Sequence, residues 1–96
     1  MKRTNNMSVA TNWAMNSAIQ SHNGQFSTDG RNLYSYRQLI GITLANGDKV
    51  ALNYMSRGGG CYISNTTSQH VSLASRRADQ TMNPEVAKEA GLINKI

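Results

Sequence analysis

The residues best suited to chemistry fall in two neighbouring clusters: Arg57-Gly58-Gly59-Gly60, and Thr66-Thr67-Ser68-Gln69-His70. A glycine run lets backbone amides approach a ligand without side-chain obstruction. A helix opening at Thr66 would present unpaired N–H groups and the positive end of its dipole, both of which suit an anion. The hydroxyls of Thr66, Thr67 and Ser68 add donors, and His70 adds a cation when protonated. Arg57, with Arg37 or Arg77 if the fold brings them near, would grip a phosphate with two parallel hydrogen bonds. The pattern is not a phosphate-binding Walker loop, because the Lys-Ser/Thr pair is missing and the glycines precede a strand. The plain alternative is a hairpin loop beside an ordinarily capped helix, with His70 bonded to a local carbonyl. Tyr34 and Tyr62 are candidates for base stacking on an open sheet, whereas Tyr36 and Tyr54 fit a core.

Catalytic constellations are missing from the pattern. No Cys, His and carboxylate spacing resembles a metal site. His22 and His70 lie in different elements, and the five carboxylates are scattered over turns and helix ends. No serine sits in a nucleophile elbow. A non-enzymatic binding protein without metal or cofactor is therefore expected, a small hydrolase being the remote alternative.

The elements that must hold these residues are an antiparallel hairpin, a third strand and helices. Asn46-Gly47 between two apolar runs signals the hairpin turn. A three-residue loop, Ala45-Asn46-Gly47 with a left-handed Gly47, pairs Ile42 with Val50, Ile40 with Leu52 and Gln38 with Tyr54. The period of two then puts Tyr36, Ile40, Ile42, Leu44, Val50, Leu52 and Tyr54 on a buried face. Arg37, Gly41, Thr43, Lys49 and Ala51 fall on a wet one. Residues 61–64 make a short third strand. Residues 7–21 show a helical stripe ended by Asn23-Gly24, and residues 25–32 read as a turn-rich connection with Asp29-Gly30 as its tightest point. Thr66 with Gln69 fits a capping box, Thr67 with His70 being the adjacent choice. Asn83-Pro84 opens a last helix and Gly91 closes it. The expected fold is α+β: a three-stranded antiparallel sheet (hairpin plus third strand) with an N-terminal helix and two C-terminal helices. Residues 1–6 are expected to fray.

Ninety-six residues make one domain. Only 39% of them are hydrophobic, many of these Ala and Met, so the core is thin and a homo-oligomer is expected. Cys61 has no second cysteine to pair with and reads as a small buried hydrophobe. No signal peptide or membrane-length apolar run is evident, which points to the cytoplasm and away from membranes. A formal charge of +5 favours nucleic acid, nucleotides or acidic proteins as partners, although the basic residues are dispersed.

Leu33-Tyr34-Ser35-Tyr36, a hairpin, and then Asn65-Thr66-Thr67-Ser68-Gln69-His70 form a sequence of motifs. It resembles short, mostly uncharacterised proteins of phages and other mobile elements, with their "LYSY" strand and "TTS-x-H" helix start. The resemblance spans residues 33–78. It implies a phage-type accessory protein in the host cell cytoplasm, acting by binding: either sequestering a nucleotide signal or blocking a host defence complex, in the manner of an anti-CRISPR protein. The expectations are thus a phosphate-ligand binder and, as the alternative, a protein-binding inhibitor.

Overall fold

The computed structural model describes residues 3–54 and 65–93. Among them the chain forms β1 (Arg3–Thr4), α1 (Asn6–Ala14), β2 (Ala18–Ser21), β3 (Phe26–Asp29), β4 (Leu33–Ser35), β5 (Gln38–Thr43), β6 (Lys49–Leu52), α2 (Asn65–Arg77), β7 (Gln80–Met82) and α3 (Pro84–Glu89). The fold is α+β, but the expected three-stranded sheet is incorrect. The seven strands form one mixed sheet in chain order. β2 to β6 pair antiparallel, while β1 joins β2 and β7 joins β6 in parallel. The third strand expected at residues 61–64 lies outside the described residues.

The extra strands come largely from the stretch read as one long helix and a connection. α1 starts where the Asn5 side chain accepts the Ser8 amide, and it buries Val9, Ala10 and Trp13. It ends at Ala14 because Asn16 adopts a left-handed conformation, φ 63°. Ser17 N–H then bonds the Asn12 carbonyl at 2.8 Å and Asn16 N–H the Trp13 carbonyl at 3.1 Å, which closes the helix with asparagine where glycine is usual. Ala18 to Ser21 continues as a strand, with Ile19 and Ser21 turned inward. Asn23-Gly24 is accordingly a hairpin turn and not a helix stop. Residues Phe26–Asp29 alternate in the same way, burying Phe26 and Thr28. Asp29-Gly30 is a tight turn as expected. Arg3–Thr4 is held at the sheet edge by pairing with Gln20 and Ser21, not frayed.

The β5–β6 hairpin has the expected register. Ile42 pairs with Val50, Gly47 has φ 93°, and Leu44 N–H bonds the Asp48 carbonyl at 2.9 Å around the three-residue loop. Gln38 Nε2 donates to the Tyr54 hydroxyl at 3.1 Å. The expected wet face, however, is where α1 lies. Gly41, Lys49 and Ala51 are buried. A Cβ on Gly41 would sit 2.8 Å from Trp13 Cζ2 and 2.9 Å from Leu33 Cβ, so only glycine admits the indole there. All four residues of β6 are buried, which places the strand inside two covered faces. Tyr36, expected in the core, is 48% exposed because it belongs to the two-residue turn between β4 and β5.

α2 begins at Asn65, so Thr66 and Thr67 already sit in its first turn. It shares the sheet face with α1, against which it packs, and leads into β7, which the sequence reading missed. α3 matches its expected signals. The Asn83 side chain accepts the Glu85 amide at 2.8 Å and Pro84 opens the helix. Leu92 N–H to the Ala87 carbonyl and Gly91 N–H to the Lys88 carbonyl, at 2.9 and 3.0 Å, form a Schellman closure.

Candidate functional site

Strand alternation turns Ser35, the last residue of β4, toward α2. On α2, Thr67 and His70 are three residues apart and so share one face. Ser35 Oγ lies 2.7 Å from His70 Nδ1 and 3.1 Å from Thr67 Oγ1. Phe26, paired with Ser35 across the sheet, stacks its ring on the imidazole at a centroid distance of 4.3 Å and an interplanar angle of 2°. Ser35, Thr67 and His70 are all buried. Burial pushes the His70 pKa below its ordinary value. A neutral imidazole accepts from Ser35 at Nδ1 or donates to it, and either arrangement satisfies the serine.

At the edge of this cluster Tyr36 is 48% exposed. Tyr36 follows Ser35 directly, holds φ 58°, and sets its ring 6.3 Å from that of His70. A tyrosine in the left-handed region is uncommon, and in a two-residue turn with one such position glycine is the ordinary choice. Arg37, next in the turn, is exposed. Thr66 and Ser68 are half-buried in the first turn of α2. Ser68 Oγ is enclosed and has no hydrogen-bond partner among the described residues.

The residues expected to bind phosphate are therefore only partly assembled. Arg57, Gly58, Gly59, Gly60 and Tyr62 lie outside the described residues. Thr66, Ser68 and Arg37 belong to elements flanking the Ser35–His70 contact. Thr67 and His70 are there too, but turned inward as packing groups and not outward as donors. Arg77 is ten residues beyond Thr67 on the same helix, about 15 Å along its axis, and does not join them. Tyr34 is half-buried, and its hydroxyl accepts from Asn32 Nδ2 at 3.3 Å. The sequence reading missed Ser35 and the exposure of Tyr36. The available signal was Ser35 itself, a small polar residue at an inward position two after Leu33.

A second polar cluster lies under Trp13. Lys49 Nζ donates to Thr43 Oγ1 at 2.6 Å, Asn16 Oδ1 at 2.8 Å and the Gly30 carbonyl at 3.0 Å, and sits 5.5 Å from the indole centroid. Burial pushes the Lys49 pKa down and the Arg31 charge adds to this, while Asp29 and Asp79 oppose it. Three acceptors match the three N–H groups of an ammonium, so the site locks loops together and offers no free amine. Asp29 accepts the amides of Asn32 and Arg31 at 2.8 and 2.9 Å, and these bonds hold its pKa below the ordinary carboxylate value.

Among the described residues no group of three or more His, Cys, Asp and Glu could hold a metal ion, and no helix is long and apolar enough to cross a membrane. No protein-family model matches the chain, and comparison with curated proteins and with solved structures returns no match.

Proposed function

We propose that the protein is a non-enzymatic binding protein that captures a phosphate-bearing ligand, a nucleotide or a nucleic-acid strand, at the Tyr36–Arg37 turn beside the start of α2. The observation that carries this reading is Tyr36: an exposed aromatic ring held in a strained turn, against a buried imidazole and next to an exposed arginine. Non-glycine residues in the left-handed region persist where surrounding structure over-determines them, and such sites concentrate at ligand contacts. A tyrosine face stacks on any base, and a guanidinium beside it pairs with phosphate. The positive end of α2 and the net charge of +5 favour the same ligand. Thr66 adds a hydroxyl at that helix end. Ser35 and His70 bond each other in the interior, so they support the turn and are not offered to a substrate.

The reading is tested by a thermal-shift panel of mononucleotides, cyclic nucleotides and short oligonucleotides at low and moderate salt. A ligand that binds the folded state raises Tm by mass action. A shift that survives salt indicates a small nucleotide, and a shift that fades with salt indicates a strand. No shift with any of these would overturn the reading.

A further inference from the structure

A groove of about 220 Å³ runs between α1 and α2, lined by Met7, Ala10, Leu73, Arg76 and Arg77. Its apolar side includes Met7, 56% exposed, and its charged side is two exposed arginines. α1 carries no charged residue and α2 carries only these two, so the groove has one sign of charge. Among the described residues neither arginine makes an ion pair.

α3 carries the complementary features. It docks on the core through Ala87 and leaves Glu85, Val86 and Glu89 exposed, Val86 by 52%. At 100° per residue these three fall within an arc of about 100°. Lys88 lies on the far flank, about 160° around the helix from Val86. Leu92, 36% exposed, extends the apolar edge past the helix end.

We propose that α3 of a second copy of this chain docks in the α1–α2 groove, with Val86 and Leu92 against Met7 and Leu73, and Glu85 and Glu89 facing Arg76 and Arg77. This is helix-in-groove recognition with an apolar anchor and a charged rim. Groove and helix are different surfaces, so each copy offers one of each, and the contact runs head to tail. Repetition closes a ring or extends an open chain. The interface uses none of the residues of the proposed ligand site.

The test is charge reversal read by analytical ultracentrifugation over a concentration series. The parent chain should associate, and added salt should weaken the association. The groove variant Arg76→Glu/Arg77→Glu and the helix variant Glu85→Arg/Glu89→Arg should each sediment as a single 10.5 kDa chain and keep a cooperative melting transition, now independent of protein concentration. Mixing the two variants should restore association, as should all four changes in one chain, because attraction returns with the signs exchanged. Val86→Asp should dissociate the parent without touching the charges. A parent that stays monomeric up to its solubility limit would overturn the proposal and leave the groove to an acidic segment of another protein. Reversal variants that still associate, or that fail to recombine, would overturn it equally.

Discussion

The His70 imidazole lies parallel to the Phe26 ring, 4.3 Å away, while its Nδ1 is held 2.7 Å from Ser35 Oγ. One side chain thus ties α2 to both β3 and β4, and it does so in neutral form, because burial disfavours its charge. The folded pKa is lowered from 6.5, so the unfolded chain binds the proton more readily in the window beneath that value. Stability is full above pH 6.5 and falls as the pH drops toward the folded pKa. Denaturant titrations between neutral and mildly acid pH should show this slope, and His70→Gln should flatten it. An equal slope in the variant would remove His70 as its source.

Ser35 is the smallest change that probes the same contact. Ser35→Ala removes the hydroxyl and leaves the Nδ1 of a buried ring without its partner, at a cost of about 1–3 kcal/mol. Thr67→Ala should also destabilise, since Thr67 faces the interior. Chemical denaturation measures both, and a neutral Ser35→Ala would contradict the assigned contact.

Lys49 should be intolerant of an apolar replacement of similar length. Lys49→Met leaves Asn16 Oδ1 and the Gly30 carbonyl without their donor and frees the two turns that the ammonium joins. A loss of about 1–3 kcal/mol follows from the buried Gly30 carbonyl, because the exposed Asn16 amide can turn to water. Hydrogen exchange should quicken first around Asn16 and Gly30, and uniform protection in the variant would speak against the lock.

Gly41 tests the packing of α1 on the sheet. An added methyl would meet Trp13 Cζ2 at 2.8 Å and Leu33 Cβ at 2.9 Å, distances that demand movement of a buried indole. Gly41→Ala should cost about 1–3 kcal/mol and perturb tryptophan fluorescence. Trp13→Phe in the same chain should recover part of the loss relative to the two separate effects, which a double-mutant cycle reads directly.

These positions also mark where sequence reasoning succeeds and where it stops. The hairpin register was legible because Asn46-Gly47 and the apolar run around Ile42 and Val50 agree locally. The α3 boundaries were legible because Asn83, Pro84 and Gly91 act through neighbouring backbone. The first helix was overextended because Asn16, not glycine, takes the left-handed position, and a helical stripe continues in sequence past a stop made by backbone geometry. β3 hid behind its polar composition, with only Phe26 and Thr28 turned inward. Lys49 read as solvent-facing because two of its partners, at Asn16 and Gly30, come from distant segments that local pattern does not connect. Tyr36 read as core because the period of two was carried through a turn that interrupts it. The helix start was found, but not the inward rotation of Thr67 and His70, which depends on Ser35 across the sheet.

The most direct test of the central claim is Tyr36→Gly, assayed for stability and for nucleotide or oligonucleotide binding by fluorescence titration. Glycine takes φ 58° without strain, so the variant should be as stable as the parent or slightly more so. It should nevertheless bind about 5- to 150-fold more weakly, as loss of one stacking ring worth about 1–3 kcal/mol requires. A variant that is equally stable and binds as tightly as the parent would contradict the assignment of Tyr36 as the ligand platform.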